Sequence, residues 1–580
     1  MVHSRRPGLL ESGRTGLRRL SCLARRASRP HRGPEARVAP EPHVKLPLLL
    51  ALACTLVLAG CQPQVSRPPC PAGKTCLAWG NNTEAGTLDP QKASLVDEFA
   101  IIGDLYTGLF TDGPDASPTP ALAESWTTSP DGLTWTFRLR PSKWTDGRPV
   151  TSGDFVFAFR RLLDPNTASS YAFLLYLLEN GQAVNEGKAG PETLGVRAVD
   201  PLTLELRLEH PAPYLPALLK HHSFFPVPAH VVTAHGDAWT RPENFVGNGA
   251  FTLVEWKLGD HIRVVKNPDF FDPGSVCVDQ IDYFPTPDSV MAERRVARGE
   301  LDLNTNFQSS RVQRLRDNLP GYVRTYPALA TSYIALNTVS VPAFRDLRVR
   351  RALSMGVDRD FITGKLMRAG QKPAYSFVPP ATAGHGDGVR LKWADMPFDA
   401  RQAEARRLLA EAGYGPGDPL SVEIKVGNSP DNLLLSQAVA ADWTALGLKV
   451  STVQNEGQIA FSAYKRKDFQ IGMMSWYADF NDPLTFLGLF RSDTGQQNYS
   501  GYANPRYDAL LDQADREPDA TRRARTLAEA EQLMLDEEGV IPVFQVVSRA
   551  LVSPRVTGWT DNIENFHRAR WVCVKPAAAG

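Results

Sequence analysis

The strongest constraint on the fold is a helix–strand–helix–strand pattern between residues 399 and 453. Apolar residues recur at helical spacing over residues 399–413 and again over 431–447. A short apolar run follows each helix, at residues 421–426 and 448–453, and predicts a strand. Strand, helix and strand in succession favour a parallel pair with a right-handed crossover. We therefore predict an α/β protein.

The length and charge of the chain limit the classes to consider. A chain of 580 residues is too long for a single hydrophobic core and predicts about two to four domains. From residue 61 onward, 53 Lys and Arg side chains face 60 Asp and Glu side chains, a net charge of −7. A mildly acidic body gives no reason to expect a nucleic-acid partner.

The N-terminal segment is expected to be a targeting signal. An apolar run over residues 46–60 follows Lys45; it is short for a membrane span and typical of a secretory signal. The Leu-Ala-Gly before Cys61 resembles a bacterial lipobox, which implies cleavage before Cys61 and acylation of that cysteine. Residues 1–43 have no usable periodicity, and we interpret them as an over-long start assignment, with translation beginning at Val44.

Four of the seven cysteines remain after the lipobox cysteine: Cys70, Cys76, Cys277 and Cys573. In an oxidising compartment an even number permits two disulfides, and the three possible pairings stay open. No Cys-x-x-Cys or neighbouring histidine pattern favours zinc. No metal or other cofactor is therefore expected.

The stretch most typical of a binding site is SWYADFNDP, from Ser475 to Pro483. It follows an apolar run, residues 469–474, that predicts a short buried strand, and the Trp-Tyr-Ala-Asp step is expected to enter a loop. A carboxylate at a strand end beside two aromatics can meet a cation where little water screens the attraction. A turn aspartate beside core aromatics is the alternative that the spacing leaves open.

The common catalytic motifs are absent from the sequence. The sequence has no nucleophile elbow, phosphate-cradling glycine loop or His-Glu-x-x-His motif. Four histidines between residues 221 and 235 are expected to be solvated or core residues rather than metal ligands. Asp479 and Asp482 lack other catalytic parts nearby. We predict a binding protein rather than an enzyme.

Short motifs along the chain agree with one family. They are WTFRLR at 135–140, KWTDG at 143–147, PVTSGDF at 149–155, RRLLDP at 160–165, VGNG at 246–249, Asn337, FRDLRVR at 344–350, Asp358-Arg359 and PAY at 373–375. They resemble the oligopeptide-binding lipoproteins of bacterial ABC importers, within the peptide/nickel family of extracellular solute-binding proteins. The resemblance covers roughly residues 77–572.

The resemblance implies a fold as well as a class. We expect an α/β, two-lobed periplasmic-binding-protein fold of type II, in its large cluster with an extra domain, and a hinge between the lobes. The expected bounds are 1–60 for the signal, 61–76 for the lipid anchor and tether, 77–106 for lobe I, 107–229 for the extra domain packed on lobe I, 230–330 for lobe I continued, 331–547 for lobe II and 548–580 for the C-terminal return to lobe I.

The resemblance also assigns roles to single residues. The expected ligand-binding residues are Asp479, Trp476, Tyr477, Ser475, Val96, Tyr171 and Asn248. Asp479 would hold the α-ammonium of a peptide by a charge-assisted hydrogen bond. Main-chain groups at Ser475, Tyr477 and Val96 would pair with the peptide backbone. Tyr171 could instead be a core residue and Asn248 a turn residue.

Two departures from the family pattern bear on specificity. Met473 stands where the best-known members carry an arginine that helps receive a peptide carboxylate, which leaves the preferred length open. Ala330 and Tyr477 stand where some members carry a disulfide between the binding loop and a strand.

The function implied by the resemblance is capture of oligopeptides and their delivery to membrane permease subunits, with the ATPase on a separate chain. We expect a monomer in the periplasm or cell envelope, held at the membrane by its N-terminal lipid. The alternatives are a binder of dipeptides, murein peptides or another small solute, and a peptide receptor without a transport role. A secreted hydrolase would need catalytic groups that the sequence does not show.

Overall fold

The computed structural model of the protein describes residues 69–385 and 388–575. The predicted signal, the lipid attachment site at Cys61 and the tether as far as residue 68 lie outside these residues. No described helix is both long and apolar enough to cross a membrane.

The described residues form nineteen β-strands. In chain order they are β1 Cys76–Gly80, β2 Phe110–Asp112, β3 Pro118–Pro120, β4 Ala123–Thr128, β5 Thr134–Leu139, β6 Val196–Asp200, β7 Thr203–Arg207, β8 Phe251–Lys257, β9 His261–Lys266, β10 Gln280–Phe284, β11 Leu303–Asn304, β12 Val323–Leu336, β13 Lys372–Pro373, β14 Ser421–Gly427, β15 Lys449–Asn455, β16 Ile471–Tyr477, β17 Ile541–Val552, β18 Val556–Thr557 and β19 Cys573–Val574.

The same residues form fifteen α-helices, several of them a single turn. They are α1 Val96–Leu105, α2 Ser152–Leu163, α3 Gly181–Asn185, α4 Leu215–Leu218, α5 Ala229–His235, α6 Ser289–Ala297, α7 Val312–Asn318, α8 Leu347–Met355, α9 Arg359–Phe361, α10 Phe398–Glu411, α11 Pro430–Ala445, α12 Gly457–Lys465, α13 Leu484–Leu487, α14 Pro505–Asp515 and α15 Ala520–Asp536. A π-helical segment, Ile362–Met367, follows α9 directly.

One large mixed sheet organises the fold. Its strand order is β15-β14-β16-β12-β17-β11-β1-β10-β9-β8, and β13 pairs with β17 beside this path. The two long strands β12 and β17 run antiparallel through its middle. Since every strand on either side connects to the sheet through this pair, β12 and β17 join its two halves. A separate four-stranded sheet, β4-β5-β7-β6, lies within residues 123–207.

The predicted α/β pattern is confirmed in the second half of the chain. Strands β14 and β15 are parallel in register, with Val422 opposite Val450, and α11 connects them. Two details differ from the prediction. Helix α10 begins at Phe398 with Pro397 as its N-cap residue, one residue before the helical spacing that starts at 399. Strand β16 continues through Tyr477 instead of leaving the sheet at Trp476, because β12 pairs with it as far as Tyr477.

Both faces of β12 are buried, and each contributes to a different core. Ala330 and Ile334 belong to a cluster drawn from residues 328–546. Tyr333 and Ala335, from the alternate positions, belong to a larger cluster that extends from Leu77 to Val574. The burial holds from Ala328 to Leu336, whereas Arg324 and Pro327, nearer the start of the strand, are exposed.

The disulfide pairing left open by the sequence is decided by the fold. Cys70 pairs with Cys76 across a short loop, with their Cα atoms 5.7 Å apart. Cys277 pairs with Cys573, with their Cα atoms 5.5 Å apart, and so ties the C-terminal segment to the residues before β10.

A buried charge network joins the region after α1 to the C-terminal segment. The Lys220 ammonium lies 2.6 Å from Glu564 and 3.0 Å from Asp112. Arg568 donates to Asp112 at 2.7 Å through its Nε atom. Burial raises the pKa of Asp112, but Arg568 and Lys220 outweigh burial and hold this pKa below its ordinary value. All four side chains are buried, so each charge depends on its partners.

Candidate functional site

The predicted site begins on β16, which is an edge strand over most of its length. On one side β12 pairs with all of β16. On the other side β14 pairs with it only at Ile471 and Gly472. The rest of that edge is not covered by any strand of the described residues.

Strand alternation decides which main-chain groups face the open edge. The N–H of Ala478 donates to the C=O of Leu329, next to β12, at 2.8 Å. Even-numbered residues of β16 therefore point their main-chain groups toward β12, and odd-numbered residues point theirs away. Ser475 and Tyr477 present N–H and C=O groups at the uncovered edge. An extended peptide can add there as a further strand.

Asp479 lies two residues beyond β16 and is only 5% exposed. Its N–H donates to Thr485 Oγ1 at 2.9 Å, and the Thr485 hydroxyl donates back to Asp479 Oδ2 at 3.3 Å. The Tyr171 hydroxyl also donates to this carboxylate. Within the described residues, no Lys or Arg forms an ion pair with Asp479.

The environment of Asp479 disfavours its charge. Burial raises the pKa of Asp479 to about 7, and the hydrogen bonds from Thr485 and Tyr171 offset this only in part. A carboxyl group held this way gains most from a ligand that brings a positive charge, since the attraction is strong where water is excluded.

A second titratable group beside Asp479 is His221, whose Nε2 atom lies 3.5 Å from Asp479 Oδ1. Burial lowers the pKa of His221 to about 3, so the imidazole is neutral at neutral pH. The Ser223 N–H donates to Nδ1 at 3.4 Å, which assigns the proton to Nε2, facing Asp479. A neutral imidazole does not neutralise the carboxyl group, and its Nε2 atom has no hydrogen-bond partner within the described residues.

Buried rings surround Asp479 and His221 and exclude water from them. The Tyr171 ring lies 4.6 Å from the His221 ring, and the Phe99 ring lies 4.0 Å from the His222 ring, measured between centroids. The His222 Nδ1 atom contacts the Pro90 C=O at 2.6 Å. All four rings are buried. The structure thus brings the predicted Tyr171 to Asp479, together with His221 and His222, which were expected to be solvated or core residues.

The first of two cavities at the site, the Val96 cavity, has a volume of about 230 Å³. Val96 is the first residue of α1, so its N–H is among those with no acceptor inside the helix. Tyr477 and Arg549 also line this cavity. Two predicted residues, Val96 and Tyr477, therefore meet around one space.

The second, the Asp479 cavity, has a volume of about 300 Å³. Asp479 and Thr485 form part of its wall. One part of the remaining wall consists of eight aromatic and aliphatic side chains, among them Phe173, Tyr214 and Phe480. The cavity therefore offers a charged group beside an apolar space, the combination usual in small-ligand sites.

Four predicted residues do not line either cavity: Tyr171, which lies beside Asp479, Asn248, Trp476 and Ser475. The Asn248 amide is used within the fold: it accepts from the Thr107 N–H at 3.0 Å and donates to the Thr107 C=O at 2.9 Å. The Trp476 side chain is buried, whereas the Ser475 side chain is exposed. A main-chain role for Ser475 does not depend on its side chain. Ligand contact by Asn248 and Trp476 stays a prediction.

The two departures from the family pattern have clear positions. Met473 is buried in the core cluster of residues 328–546, so it offers no charge to a ligand. Ala330 lies directly opposite Tyr477 in the β12–β16 pairing. The geometry of that pair agrees with the expectation that both positions would share one disulfide where cysteines are present.

Contacts across the site involve residues that the sequence did not single out. Asp431, at the start of α11, accepts from the Ser309 hydroxyl at 2.8 Å and pairs with Arg549. Lys465, at the end of α12, donates to Ser94 at 3.2 Å and to Ser170 at 2.8 Å. No local signal marks these residues, because their partners are far away in the sequence.

Comparisons with known proteins agree on one family. The sequence profile described as bacterial extracellular solute-binding proteins, family 5 Middle, matches residues 117–498. The periplasmic oligopeptide-binding protein OppA of Salmonella typhimurium is 36% identical over 506 residues, which cover 86% of this chain and 92% of that protein.

Solved structures agree as well. The murein tripeptide-binding protein MppA of Escherichia coli superposes with a TM-score of 0.84 at 35% identity, covering 87% of this chain and 99% of the other. The unliganded open form of MppA superposes with a TM-score of 0.64 at 35% identity, covering 87% of this chain and 98% of the other. OppA of Haemophilus influenzae in complex with the peptide RPPGFSPFR superposes with a TM-score of 0.83 at 32% identity, covering 87% of this chain and 99% of the other. The two-lobed type II fold is thereby confirmed, and the chain belongs to family 5 of the bacterial extracellular solute-binding proteins.

Proposed function

We propose that this protein is the extracytoplasmic binding component of an ABC importer and that its ligands are oligopeptides. The observation that carries the proposal is Asp479, a buried carboxyl group on a cavity wall with no Lys or Arg partner in the described residues. A peptide α-ammonium supplies the missing charge. Relatives with names of oligopeptide- and murein peptide-binding proteins support the same class.

The peptide backbone is proposed to extend along β16. Ser475 and Tyr477 offer main-chain donors and acceptors at the uncovered edge, and the Val96 N–H offers a donor at the start of α1. Backbone pairing is independent of the side chains of the ligand. Side chains would extend into cavities, where water can adjust to them.

Binding is proposed to close two lobes around a hinge formed by β12 and β17. We assign residues 77–106, 230–330 and 548–580 to lobe I, 107–229 to the extra domain and 331–547 to lobe II. In this division the Asp431–Ser309 and Lys465–Ser94 contacts cross between lobes. The higher TM-score against one MppA structure than against its unliganded open form supports a closed arrangement here.

We further propose that Cys61 carries a lipid that holds the protein at a membrane of the cell envelope, facing the periplasm. The closed protein would act as a monomer and deliver its peptide to permease subunits, with ATP hydrolysed on another chain. The names of the relatives are those of binding proteins, and we place this protein in the same class rather than among the enzymes.

The direct test is titration calorimetry with tri-alanine and N-acetyl-tri-alanine. Asp479→Ala should weaken tri-alanine binding by about 2–5 kcal/mol, the range for removing one partner of a buried charge pair. Acetylation should weaken wild-type binding similarly and add little in the variant. Asp468→Ala, which removes an exposed carboxylate just before β16, is the matched control. Equal affinities of wild type and Asp479→Ala would overturn the assignment.

A murein peptide is the second candidate ligand, favoured by the similarity to MppA. A dipeptide, another small solute, or a receptor role without transport are further alternatives. Mass spectrometry of ligands that co-purify with the untagged protein separates a murein peptide from other peptides by mass and composition. Loss of peptide uptake on deletion of the protein would argue against a receptor without a transport role.

A further inference from the structure

We propose that the Asp479 cavity receives the first side chain of the peptide and selects a cationic one, lysine or arginine, through Asp515. The inference rests on the proposed function and adds a side-chain preference to it. If Asp479 holds the α-ammonium, the first side chain starts within one residue of this carboxylate. The cavity that Asp479 lines is therefore within its reach.

The walls of the cavity suit a long aliphatic stem. Phe173, Leu174 and Leu177 line it from one segment, and Tyr214 and Phe480 from two others. The rings of Tyr214 and Phe480 are stacked, with centroids 5.7 Å apart and planes at 10°. Lysine and arginine bury their methylene stems along such surfaces while the charged head continues to a polar region.

The polar region of the cavity is acidic. Besides Asp479, its lining has four carboxylates and two guanidinium groups: Glu209, Asp493, Asp512, Asp515, Arg491 and Arg516. Arg491 is shared, because it pairs with Asp512 and also lies 3.3 Å from Asp515 and 3.5 Å from Asp493. The two guanidinium groups of the lining cannot balance its five carboxylates, Asp479 included, so negative charge remains in excess.

Asp515 is the member of this set that points to a ligand. Its Oδ2 atom faces Arg491, but its Oδ1 atom is buried and has no hydrogen-bond partner in the described part of the chain. Leaving a carboxylate oxygen buried and unpaired is unfavourable. Burial raises the pKa of Asp515, as does Asp512, whereas His210, Arg491 and Arg523 lower it. An ammonium or guanidinium head in the cavity supplies the missing donor.

The test is a calorimetric series of tripeptides X-Ala-Ala, with X as lysine, norleucine, alanine or glutamate. Lysine and norleucine share the aliphatic stem and differ in the charged head. Wild type should bind Lys-Ala-Ala about ten- to hundredfold more tightly than the norleucine peptide, as a charge-assisted hydrogen bond implies. The glutamate peptide should bind most weakly. Moving lysine to the second position, in Ala-Lys-Ala, should abolish the advantage.

Asp515→Asn should reduce the ratio between the affinities for the lysine and norleucine peptides to within about threefold. Glu529→Gln, which neutralises an exposed carboxylate outside the cavity, should keep the wild-type ratio. Equal affinities for lysine and norleucine in wild type would overturn the inference, a result that needs no variant. So would an unchanged ratio in Asp515→Asn. If no peptide binds at all, the proposed function fails first, and the inference falls with it.

Discussion

The Nε2 atom of His221 lies 3.5 Å from the Oδ1 atom of Asp479, so a neutral imidazole faces a buried carboxyl group. Burial lowers the pKa of His221 to about 3 and raises that of Asp479 to about 7. Both groups therefore prefer their neutral forms in this corner. We infer that closure of the lobes around a charged Asp479 is unfavourable unless the ligand brings a cation.

This pKa relationship predicts a pH-dependent closure of the protein without peptide. In an open, hydrated cleft Asp479 would titrate near its ordinary value of 3.8, whereas with the lobes in contact its pKa is about 7. The closed form then binds more protons, so closure is favoured as pH falls from 7 toward 4 and costs about 4 kcal/mol above pH 7.

Small-angle X-ray scattering on the peptide-free protein checks this prediction. The radius of gyration of wild type should decrease between pH 8 and pH 5. Asp479→Asn, whose amide does not titrate, should be compact at both pH values, and Asp468→Asn should behave like wild type. A wild-type radius that is the same at both pH values would contradict the prediction.

The contact of Asp431 with Ser309 and Arg549 predicts a residue that tunes affinity without touching the ligand. Asp431→Ala removes a bond between the proposed lobes, so it should shift the protein toward the open form. Tri-alanine and tetra-alanine should both bind about tenfold more weakly, by the same factor, since only the closure equilibrium changes. Calorimetry measures this, with the exposed Asp418→Ala as control. A loss confined to one peptide would mean that Asp431 acts on the ligand.

The buried network around Lys220 predicts a large loss of stability on its neutralisation. Lys220→Met keeps the length of the side chain but leaves Glu564 without its cation at 2.6 Å. The free energy of unfolding should fall by about 3–5 kcal/mol, the range for breaking a buried ion pair from one side. Urea unfolding measures it. Lys188→Met, at an exposed pair, should change stability by less than about 0.5 kcal/mol.

The two disulfides should contribute unequally. Cys277 and Cys573 are 296 positions apart and Cys70 and Cys76 only 6. In the chain-entropy account, a cross-link closing the longer loop stabilises by roughly 5–6 kcal/mol and the shorter by about 2 kcal/mol. Thermal unfolding of the two Cys→Ser double variants compares them. Equal losses would show that loop entropy does not dominate here.

Much of the fold follows from local patterns in the sequence. Strands β14 and β15 and the helix between them were predicted from apolar periodicity, because each is formed by residues close together in the chain. Asp519 shows the same locality at a helix start: its side chain accepts from the Arg522 N–H and caps α15. The length of β16 was missed, because pairing with β12 rather than local propensity carries it to Tyr477.

The sequence by itself determined the α/β class, the family and the prominence of Asp479, since these depend on short motifs and periodicity. Only the tertiary structure decided that β14 leaves the edge of β16 uncovered beyond Gly472, that His221 faces Asp479 and that Cys277 pairs with Cys573. It also decided that the Asn248 amide is used by Thr107. The physical reason is the same in each case: the partner is remote in the chain, and no local pattern records which remote segment packing will bring into contact.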